Sequence, residues 1–236
     1  MAGAAILSGL GALKAGAGLL TIALPEFIRR TVSSRLPEAM TIVPGEISAY
    51  VSRRTITTLA VGPGLGQGVV QRHLVLRLLG MELPIVVDAD GLNNLSPIDL
   101  KYCPAVITPH PGELARLLGK SIKEIQKDRV KIAVETGRQL NVICVLKGHQ
   151  TVISDGVHSF LNTTGNQAMA TGGMGDVLTG MIAGLLAQGL SLLDAACAGV
   201  YLHGLAGDLA RVSDRGLLAT DVAAHIPQAL KRIGIR

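Results

Sequence analysis

The sequence predicts an α/β fold built on a central, mostly parallel sheet with helices on both faces. Short apolar segments that are typical of buried strands alternate along the chain with segments of helical periodicity. Polar motifs recur at the ends of the predicted strands, where ligands of open α/β sheets bind. The 29 glycines and 10 prolines favour a loop-rich α/β chain over a helical bundle. Because no internal repeat or linker is evident, we expect one domain over residues 1–236.

Strands and helices are predicted in a definite order along the chain. The first helix, rich in alanine and glycine, spans Met1–Ala17, and Glu26–Arg35 combines helix and loop. A Ser-Asp-Gly turn at 154–156 predicts a hairpin between Thr151–Ile153 and Val157–Leu161. The other predicted strands are Leu19–Leu24, Met40–Val43, Ile56–Val61, Pro84–Val87, Ala105–Thr108 and Asn141–Leu146. The other predicted helices are Val69–Leu79, Ile122–Leu140, Val177–Gln188, Leu192–Ala210 and Thr220–Ile233.

Composition argues against a membrane protein and against nucleic-acid binding. Hydrophobic residues make up 48% of the chain and the mean hydropathy is +0.43, but no apolar run reaches about 18 residues. The net charge of +5 comes from scattered basic residues, and Trp is absent, so a stacking surface for bases is hard to build. These features favour a mildly basic enzyme that acts on anionic substrates. Three cysteines without metal-like or redox spacing predict free thiols in the cytoplasm.

The stretch Asn162–Gly180 (NTTGNQAMATGGMGDVLTG) carries the clearest chemical signal. Gly172, Gly173 and Gly175 are predicted to take positive φ and to let the backbone approach a ligand. A helix is predicted to begin at Asp176, and the unpaired N–H groups at its start form a seat for an anion. A carboxylate would repel a phosphate there unless it takes a proton from an attacking hydroxyl. Asp176 is therefore a candidate base in phosphoryl transfer.

Two further motifs follow the third and fourth predicted strands. Gly62–Gly66 (GPGLG) could admit a phosphate or a ribose, but it lacks the spacing of either standard nucleotide fingerprint and is equally compatible with a tight turn. Asp88 and Asp90 could hold Mg²⁺ through waters and phosphates. Asn93 and Asn94 could instead make a helix-capping turn with Asp90. We favour capping for Asn93 and leave the role of Asp88 open.

Two titratable side chains end later strands. His110 lies between two prolines, and because a rigid loop suits a ligand contact we place it in the site. Pro111 and Glu113 alone would start a helix, but this would not explain His110. Lys147 could project toward phosphates at the sheet edge or extend to solvent, and spacing does not decide between the two. The next residues, which offer further polar contacts, are His149, Gln150 and Thr151. The remaining histidines, predicted to be surface or satisfied core residues, are His73, His158, His203 and His225.

The motifs together resemble a known family. TGGMGD, with the preceding NTTGN and the strand-end LKG, looks like the ribokinase-like superfamily, in which the glycine turn forms the anion hole and the aspartate is the base. Over nearly the whole chain and in order, the sequence closely resembles the NAD(P)H-hydrate dehydratase family. The segments that carry this resemblance are GAGLLTIALPE, GPGLGQG, VVDADGLNNL, ITPHPGELARLLG, VLKGHQTVISDG and NQAMATGGMGDVLTGMIAGLLAQG. The resemblance implies a ribokinase-like fold of three α/β/α layers.

The resemblance also implies an activity. The family repairs hydrated NADH and NADPH, in which water has added at C6 of the reduced nicotinamide. ADP would phosphorylate the new hydroxyl, and elimination of the phosphate would give NAD(P)H, with AMP and phosphate as the other products. The implied cofactors are ADP and Mg²⁺, and the implied partners are the hydrated dinucleotide and ADP. The form of the family, rather than any single residue, favours ADP over ATP, and the choice between NADH and NADPH hydrates stays open.

The functional residues of the family can be carried over position by position. The implied catalytic residues are Asp176 as the base, with Gly173 and Gly175 as the amides that hold the moving charge. The implied contacts to the hydrated dinucleotide are Ala4, Gly62, Gly64, Gly66, His110 and Asp176. The implied contacts to the adenine nucleotide are Lys147, Gly148, His149, Gln150, Thr151 and Gly175. No residue is assigned as a metal ligand.

One departure from the family concerns the start of the chain. The family carries a strand and a Gly-Gly-Ser-type loop before the segment that matches Met1–Ala5, and this sequence lacks them. We expect either a truncated start or a domain excised from a two-domain protein that carries an epimerase, which implies a functional link to an NAD(P)H-hydrate epimerase. We also expect a homo-oligomer, such as a homotetramer, although the sequence does not say whether the Met1–Ala17 helix packs on the sheet or on another subunit.

Two other hypotheses stay open on the sequence alone. The first is a small-molecule kinase of the same superfamily that acts on a thiazole or pyrimidine alcohol, so that a phosphorylated product persists. The second is a nucleotide-binding module without catalysis, which the missing N-terminal loop suggests. The stretch Asn162–Gly180 would look the same in the kinase, so the distinction rests on TPHPGE and on the N-terminal segment.

Overall fold

The computed structural model describes residues 1–234, in which eight short strands alternate with helices. The strands are β1 (Thr21–Ala23), β2 (Met40–Ile42), β3 (Leu59–Val61), β4 (Ile85–Val87), β5 (Ala105–Ile107), β6 (Ile143–Leu146), β7 (Val152–Ser154) and β8 (Ser159–Leu161). The helices are α1 (Ala2–Lys14), α2 (Glu26–Arg35), α3 (Ile47–Arg53), α4 (Val69–Leu79), α5 (Ala89–Asn93), α6 (Pro97–Leu100), α7 (Pro111–Leu118), α8 (Ile122–Lys127), α9 (Arg129–Leu140), α10 (Met174–Ala187), α11 (Leu192–Ala210) and α12 (Ala219–Arg232). Within the described residues, none of these helices is long and apolar enough to cross a membrane.

The central sheet holds six of the strands in the order β3-β4-β5-β6-β7-β8. The first four run parallel, and β7 and β8 continue the sheet antiparallel as the predicted hairpin. The prediction of a mostly parallel sheet is therefore confirmed. The first two strands, β1 and β2, pair in parallel with each other and form a separate two-stranded sheet.

Side chains alternate between two apolar layers along the buried strands. Val86, Val106 and Val145 pack in one cluster with residues of α1, α10, α11 and α12. Their neighbours along the strands, including Ile85 and Ile107, pack in a second cluster with residues of α4, α7 and α9. Helices thus cover both faces of the sheet, and the predicted three-layer α/β/α architecture is confirmed.

The prediction of a single helix over Ile122–Leu140 is wrong, because the helix is interrupted at Asp128. Asp128 has a φ of −150°, and its carboxylate accepts a hydrogen bond of 3.0 Å from the backbone N–H of Lys131, which starts α9. Helix α8 is started in the same way by Ser121, whose hydroxyl accepts from the N–H of Glu124 at 3.2 Å. One capping residue before the predicted helix and a second one within it therefore give two helices.

Other boundaries differ by a few residues from the predicted ones. Helix α10 begins at Met174 rather than at the predicted start, Asp176 or Val177, so Asp176 lies within the first helical turn. Strand β6 begins at Ile143 because Asn141 takes a left-handed φ of 54° at the end of α9. Helix α3 is an element that the sequence pattern does not reveal.

Helix α1 lies against α10 at a distance that only glycine allows. A Cβ on Gly180 would come 1.8 Å from the carbonyl oxygen of Ser8. A Cβ on Gly11 would come 2.2 Å from the carbonyl oxygen of Val177. Because protein interiors are close-packed and backbone atoms cannot yield at such distances, these glycines fix α1 beside the helix that carries Asp176.

Replacing Gly180 by alanine is expected to destabilise the fold, because the added methyl group would overlap the backbone of α1. Overpacking of this kind typically lowers the free energy of unfolding by about 1–3 kcal/mol. Gly3→Ala is the matched control on α1, since nothing lies within 4 Å of the position that its Cβ would occupy. The control should be neutral or stabilise the fold by up to about 1 kcal/mol. Chemical denaturation measures both, and equal stability of the two variants would contradict the close helix contact.

Candidate active site

The glycine turn starts α10 at the carboxyl edge of the sheet. Gly173 is the N-cap residue and has a left-handed φ of 89°, which suits glycine. The prediction of positive φ is wrong for Gly172 and Gly175, because the turn needs one left-handed residue and a helix begun at Met174 needs negative φ thereafter. Gly175 serves instead for close approach, since a Cβ there would lie 3.3 Å from the Nζ atom of Lys147.

Asp176 lies in the first turn of α10 and is half-buried. The backbone N–H groups of this turn have no partners inside the helix and stand at the positive end of its dipole, so they can bind an anion. Burial, and then the nearby charge of Asp88, raise the pKa of Asp176 to about 6 against the opposing effect of the Lys147 ammonium. A carboxylate with this pKa is ionised at neutral pH and is a stronger base than an ordinary aspartate.

Asp88, at the end of β4, forms a buried ion pair with Lys147, at the end of β6. The Nζ atom of Lys147 donates to Oδ1 of Asp88 at 2.6 Å, and the hydroxyl of Thr179 donates to Oδ2 at 2.8 Å. Glu113 Oε2 lies 3.7 Å from the same Nζ atom. Lys147 therefore turns toward Asp88 rather than to solvent, and both carboxylate oxygens of Asp88 accept hydrogen bonds.

His110 is the N-cap residue of α7, which is a role that the sequence analysis did not assign to it. Its Nδ1 atom accepts from the backbone N–H groups of Gly112 at 3.0 Å and Glu113 at 3.2 Å, while Glu113 Oε2 accepts from the N–H of His110 at 2.7 Å. Because Nδ1 accepts, the proton of the neutral ring is on Nε2. The side chain is 58% exposed, so this ring keeps a structural role and still offers a surface to a ligand.

The glycines at 62, 64 and 66 form a tight turn beside α1. Their φ values are 130°, 66° and 80°. A Cβ on Gly62 would come 1.8 Å from the carbonyl oxygen of Asp88, and one on Gly64 would lie 3.0 Å from the Cβ of Ala4. The turn therefore packs between the end of β4 and the start of α1, which brings Ala4 and these glycines to the same edge of the sheet as Asp88.

Asp90 and Asn94 fasten this glycine turn. The N–H of Gly66 donates to Oδ2 of Asp90 at 2.8 Å, and Nδ2 of Asn94 donates to the carbonyl oxygen of Gly66 at 2.9 Å. The capping prediction for Asn93 is wrong, because Asn93 is the last residue of α5 and its Oδ1 accepts from Nε of Arg116 at 3.2 Å. The side chains of Asp90 and Asn94 therefore hold the backbone of the glycine turn rather than extend freely into the site.

The loop Lys147–Thr151 enters the cluster only with its first residue. The next three residues are exposed, with φ values of 145° at Gly148 and 52° at Gln150. The hydroxyl of Thr151 donates to the carbonyl oxygen of Gly148 at 3.0 Å and closes the loop. The loop thus forms an exposed rim next to the Asp88–Lys147 pair.

Comparison with known proteins identifies the family of the chain. A family model described as NAD(P)H-hydrate dehydratase matches residues 1–228. The chain belongs to the NAD(P)H-hydrate dehydratase family. A bifunctional NAD(P)H-hydrate repair enzyme of Moorella thermoacetica is 41% identical over 99% of this chain and 48% of its own length. An ADP-dependent (S)-NAD(P)H-hydrate dehydratase of Bacillus subtilis is 39% identical over 98% of this chain and 86% of its own length. The resemblance drawn from the motifs is confirmed.

Solved structures of the dehydratase family and its superfamily share the fold. The ADP/ATP-dependent NAD(P)H-hydrate dehydratase of Bacillus subtilis, co-crystallised with ATP/Mg²⁺ and soaked with CoA, gives a TM-score of 0.88 at 37% identity over 98% of this chain and 87% of that one. A ribokinase-like superfamily protein of Enterococcus faecalis gives 0.86 at 30% identity over 99% and 84%. The predicted ribokinase-like fold is confirmed. The chain spans about half the length of the bifunctional relatives that it matches.

The donor groups at this dehydratase-family site limit how Mg²⁺ can be held. In residues 1–234, no group of three or more His, Cys, Asp or Glu side chains is arranged to hold a metal ion. Both oxygens of Asp88 are engaged by Lys147 and Thr179. Mg²⁺ is commonly bound by substrate phosphates, waters and one or two carboxylates. The residues present fit an ion of that kind, with Asp176 as the carboxylate nearest to the anion seat, and they do not fit an all-protein cage.

Three residues that support the site were missed by sequence reasoning. Thr179 lies one helical turn after Asp176, and this spacing on an otherwise apolar helix was the available signal. Arg129 donates to backbone carbonyls on both sides of Lys147. His203 is buried in α11 near the backbone of Met174, and its Nε2 atom has no hydrogen-bond partner within residues 1–234. The last two have no local sequence signal that separates them from ordinary helical residues.

His203 gives a prediction about stability and pH. Burial lowers the pKa of His203 to about 4, whereas histidine in the unfolded chain titrates near 6.5. The unfolded state therefore binds this proton more readily between about pH 6.5 and pH 4, and the free energy of unfolding should fall as the pH drops through that range. The stability advantage of wild type over His203→Gln should shrink over the same range in denaturation experiments.

A matched control for this experiment is His73→Gln, which removes an exposed histidine. We expect its free energy of unfolding to follow the pH in parallel with wild type. If the free energy of unfolding of His203→Gln also follows the pH in parallel with wild type, the assignment of His203 as a buried, neutral histidine is wrong.

Proposed function

We propose that the chain catalyses the ADP-dependent dehydration of hydrated NADH and NADPH to NADH and NADPH. The observation that carries the proposal is Asp176, a half-buried carboxylate with a pKa raised to about 6, in the first turn of a helix that follows a glycine turn. A phosphate drawn to that helix start would be repelled by the carboxylate unless the carboxylate takes up a proton. A base that accepts the proton of an attacking hydroxyl meets this condition.

In the proposed reaction, Asp176 accepts the proton of the C6 hydroxyl of the hydrated nicotinamide. The hydroxyl oxygen attacks the β-phosphorus of ADP, the bond to the bridging oxygen breaks, and AMP leaves. The backbone N–H groups of Gly173 and Gly175 stabilise the charge on the moving phosphoryl group. The ring nitrogen then expels the phosphate from C6, and the neighbouring ring carbon loses a proton. The products are NADH or NADPH, AMP and phosphate.

The proposed binding residues lie on either side of this base. The exposed ring of His110, and the position of the turn at 62–66 at the same edge of the sheet as Asp88, support contacts to the hydrated dinucleotide. The residues proposed for that contact are Ala4, Gly62, Gly64, Gly66, His110 and Asp176. The exposed rim after β6 supports contacts to the adenine nucleotide. The residues proposed for that contact are Lys147, Gly148, His149, Gln150, Thr151 and Gly175.

We propose ADP as the phosphoryl donor and Mg²⁺ as its counter-ion. The name of the Bacillus subtilis relative supports ADP, and the co-crystals of the Bacillus subtilis enzyme with ATP/Mg²⁺ support the ion. When bound, Mg²⁺ neutralises charge on the phosphates and on the leaving group. The protein side of this charge balance is the ammonium of Lys147, which Asp88 holds at the sheet edge.

The wider context of the reaction is also a proposal. The family resemblance implies a link to an NAD(P)H-hydrate epimerase, and the relatives named as bifunctional repair enzymes, of which this chain spans about half, support that link. We propose a homo-oligomer, such as a homotetramer. The three free cysteines fit a reducing compartment such as the cytoplasm.

The purified protein should convert hydrated NADH in the presence of ADP and Mg²⁺. The expected result is recovery of the absorbance band of reduced nicotinamide, with one AMP and one phosphate released for each NADH restored. Parallel reactions with hydrated NADPH and with ATP measure the substrate and donor preferences.

Different failures of this assay have different meanings. If the absorbance of reduced nicotinamide does not recover with ADP or with ATP, the dehydratase proposal is wrong. A stable phosphorylated product in the same reaction would indicate a small-molecule kinase of this fold. ADP binding without any turnover would indicate a nucleotide-binding module.

Asp176→Asn should reduce kcat by about 10²- to 10⁴-fold, because the variant cannot accept the hydroxyl proton. ADP binding should be retained, since the amides of the glycine turn are unchanged. In wild type, kcat/KM should be highest above about pH 6 and should decline below it, because the base works only when it is deprotonated and its pKa is raised to about 6. Steady-state kinetics across pH measure this decline.

Glu38→Gln removes an exposed carboxylate and is the control for the Asp176 variant. It should keep both the turnover rate and the acid limb of wild type. Equal turnover in wild type and Asp176→Asn would rule out Asp176 as the base.

A further inference from the structure

Arg129, the first residue of α9, lies half-buried beneath the loop that follows β6. Its Nη2 atom donates to the carbonyl oxygen of Leu146 at 2.9 Å, and its Nη1 atom donates to the carbonyl oxygen of His149. The two carbonyls are at the two ends of a four-residue segment, so one guanidinium group spans the segment. Lys147 lies between the two anchored positions.

The shape of the loop fits the guanidinium group closely. Gly148 has a φ of 145°, and a Cβ on it would lie 3.0 Å from Nη2 of Arg129. A side chain at this position would therefore press on the guanidinium group as well as strain the backbone. The glycine and the arginine are matched to each other.

The environment of the Arg129 side chain is not one that the stability of the fold alone would favour. The Nε atom of Arg129 is buried and has no hydrogen-bond partner in the part of the chain that the structure describes. Leaving a buried donor unpaired is unfavourable, and so is the partial burial of a guanidinium charge beside neutral carbonyls. The position of Arg129 is more simply explained by the conformation that its two carbonyl contacts impose on the loop.

We propose that Arg129 is a positioning residue that holds the Lys147–Thr151 loop in the conformation that binds the nucleotide. This inference rests on the proposed role of that loop as the ADP site. A planar guanidinium group has separate N–H donors for two carbonyls, whereas a lysine ammonium is a single point charge and matches such a pair less well. A loop that is ordered before ADP arrives loses less conformational entropy on binding.

The contacts of Arg129 with the loop also position Lys147, which forms the ion pair with Asp88. The backbone N–H of Lys147 donates to the carbonyl oxygen of Pro109 at 2.9 Å, and its Nζ atom lies 2.6 Å from Oδ1 of Asp88. Arg129 fixes the carbonyls on both sides of this residue. The loop conformation and the direction of the Lys147 side chain are therefore set together.

The experiment compares Arg129→Lys and Arg129→Gln with wild type. Calorimetric titration with ADP measures the dissociation constant without any need for turnover, and melting temperatures show that each variant is folded. Loss of the two carbonyl contacts should weaken ADP binding by about tenfold, which corresponds to roughly one charge-assisted hydrogen bond. The KM for ADP should rise to a similar extent, while the KM for hydrated NADH stays within about twofold.

Arg138→Gln is the matched control, because Arg138 is an exposed arginine on the same helix. It should bind ADP as wild type does. Arg129→Lys keeps the charge and most of the side-chain length, so it provides a folded variant if Arg129→Gln is unstable.

Two results would overturn the inference about Arg129. One is an ADP dissociation constant in a folded Arg129 variant that equals that of wild type. The other is an equal rise in the KM values for ADP and for hydrated NADH, which would indicate a general structural role. Failure of the proposed reaction is distinguishable, because wild type would then bind ADP but restore no NADH. A wild type that does not bind ADP would overturn both.

Discussion

The ion pair between Asp88 and Lys147 is the interaction on which the geometry of the site depends. It joins the ends of β4 and β6, which lie on either side of β5, and the hydroxyl of Thr179 joins the pair to α10. A buried charge is tolerated only when it is paired and its remaining hydrogen-bonding atoms are satisfied, and Asp88 meets both conditions. Loss of either partner would leave an uncompensated charge beside the glycine turn. The sheet edge and the start of α10 are therefore held in one arrangement.

Glycine provides the space that this arrangement needs. Gly175 lets the first turn of α10 approach the ion pair, and Gly62 lets its own turn approach the carbonyl oxygen of Asp88. Gly180 lets α1 lie on the opposite side of the same helix. From composition alone, the high glycine content indicates loops. At these three positions, however, glycine is needed for close contacts between elements. Each contact brings an element nearer to the site than a residue with a Cβ would allow.

Local patterns predicted the elements and residues whose roles are local. Helices α4 and α11 have the predicted bounds because their apolar periodicity has clear ends. The place of Asp176 at a helix start was predicted because a helix start is a local signal. The break at Asp128 and the N-cap role of His110 depend on hydrogen bonds from backbone to side chain that the apolar pattern does not encode. The Asp88–Lys147 pair joins residues 59 positions apart, so no spacing in the sequence reveals it.

Asp88 and Asp176 show how one sheet edge gives two carboxylates different chemistry. Both oxygens of Asp88 accept hydrogen bonds from Lys147 and Thr179, so its charge is compensated in place. At Asp176, burial and the charge of Asp88 outweigh the attraction of Lys147, and the pKa rises to about 6. Titratable groups held in contrasting environments are typical of acid–base sites. The position of Asp176, the proposed base, is therefore set by TGGMGD, but its basicity is set by burial together with DADG and LKG, which lie far away in the sequence.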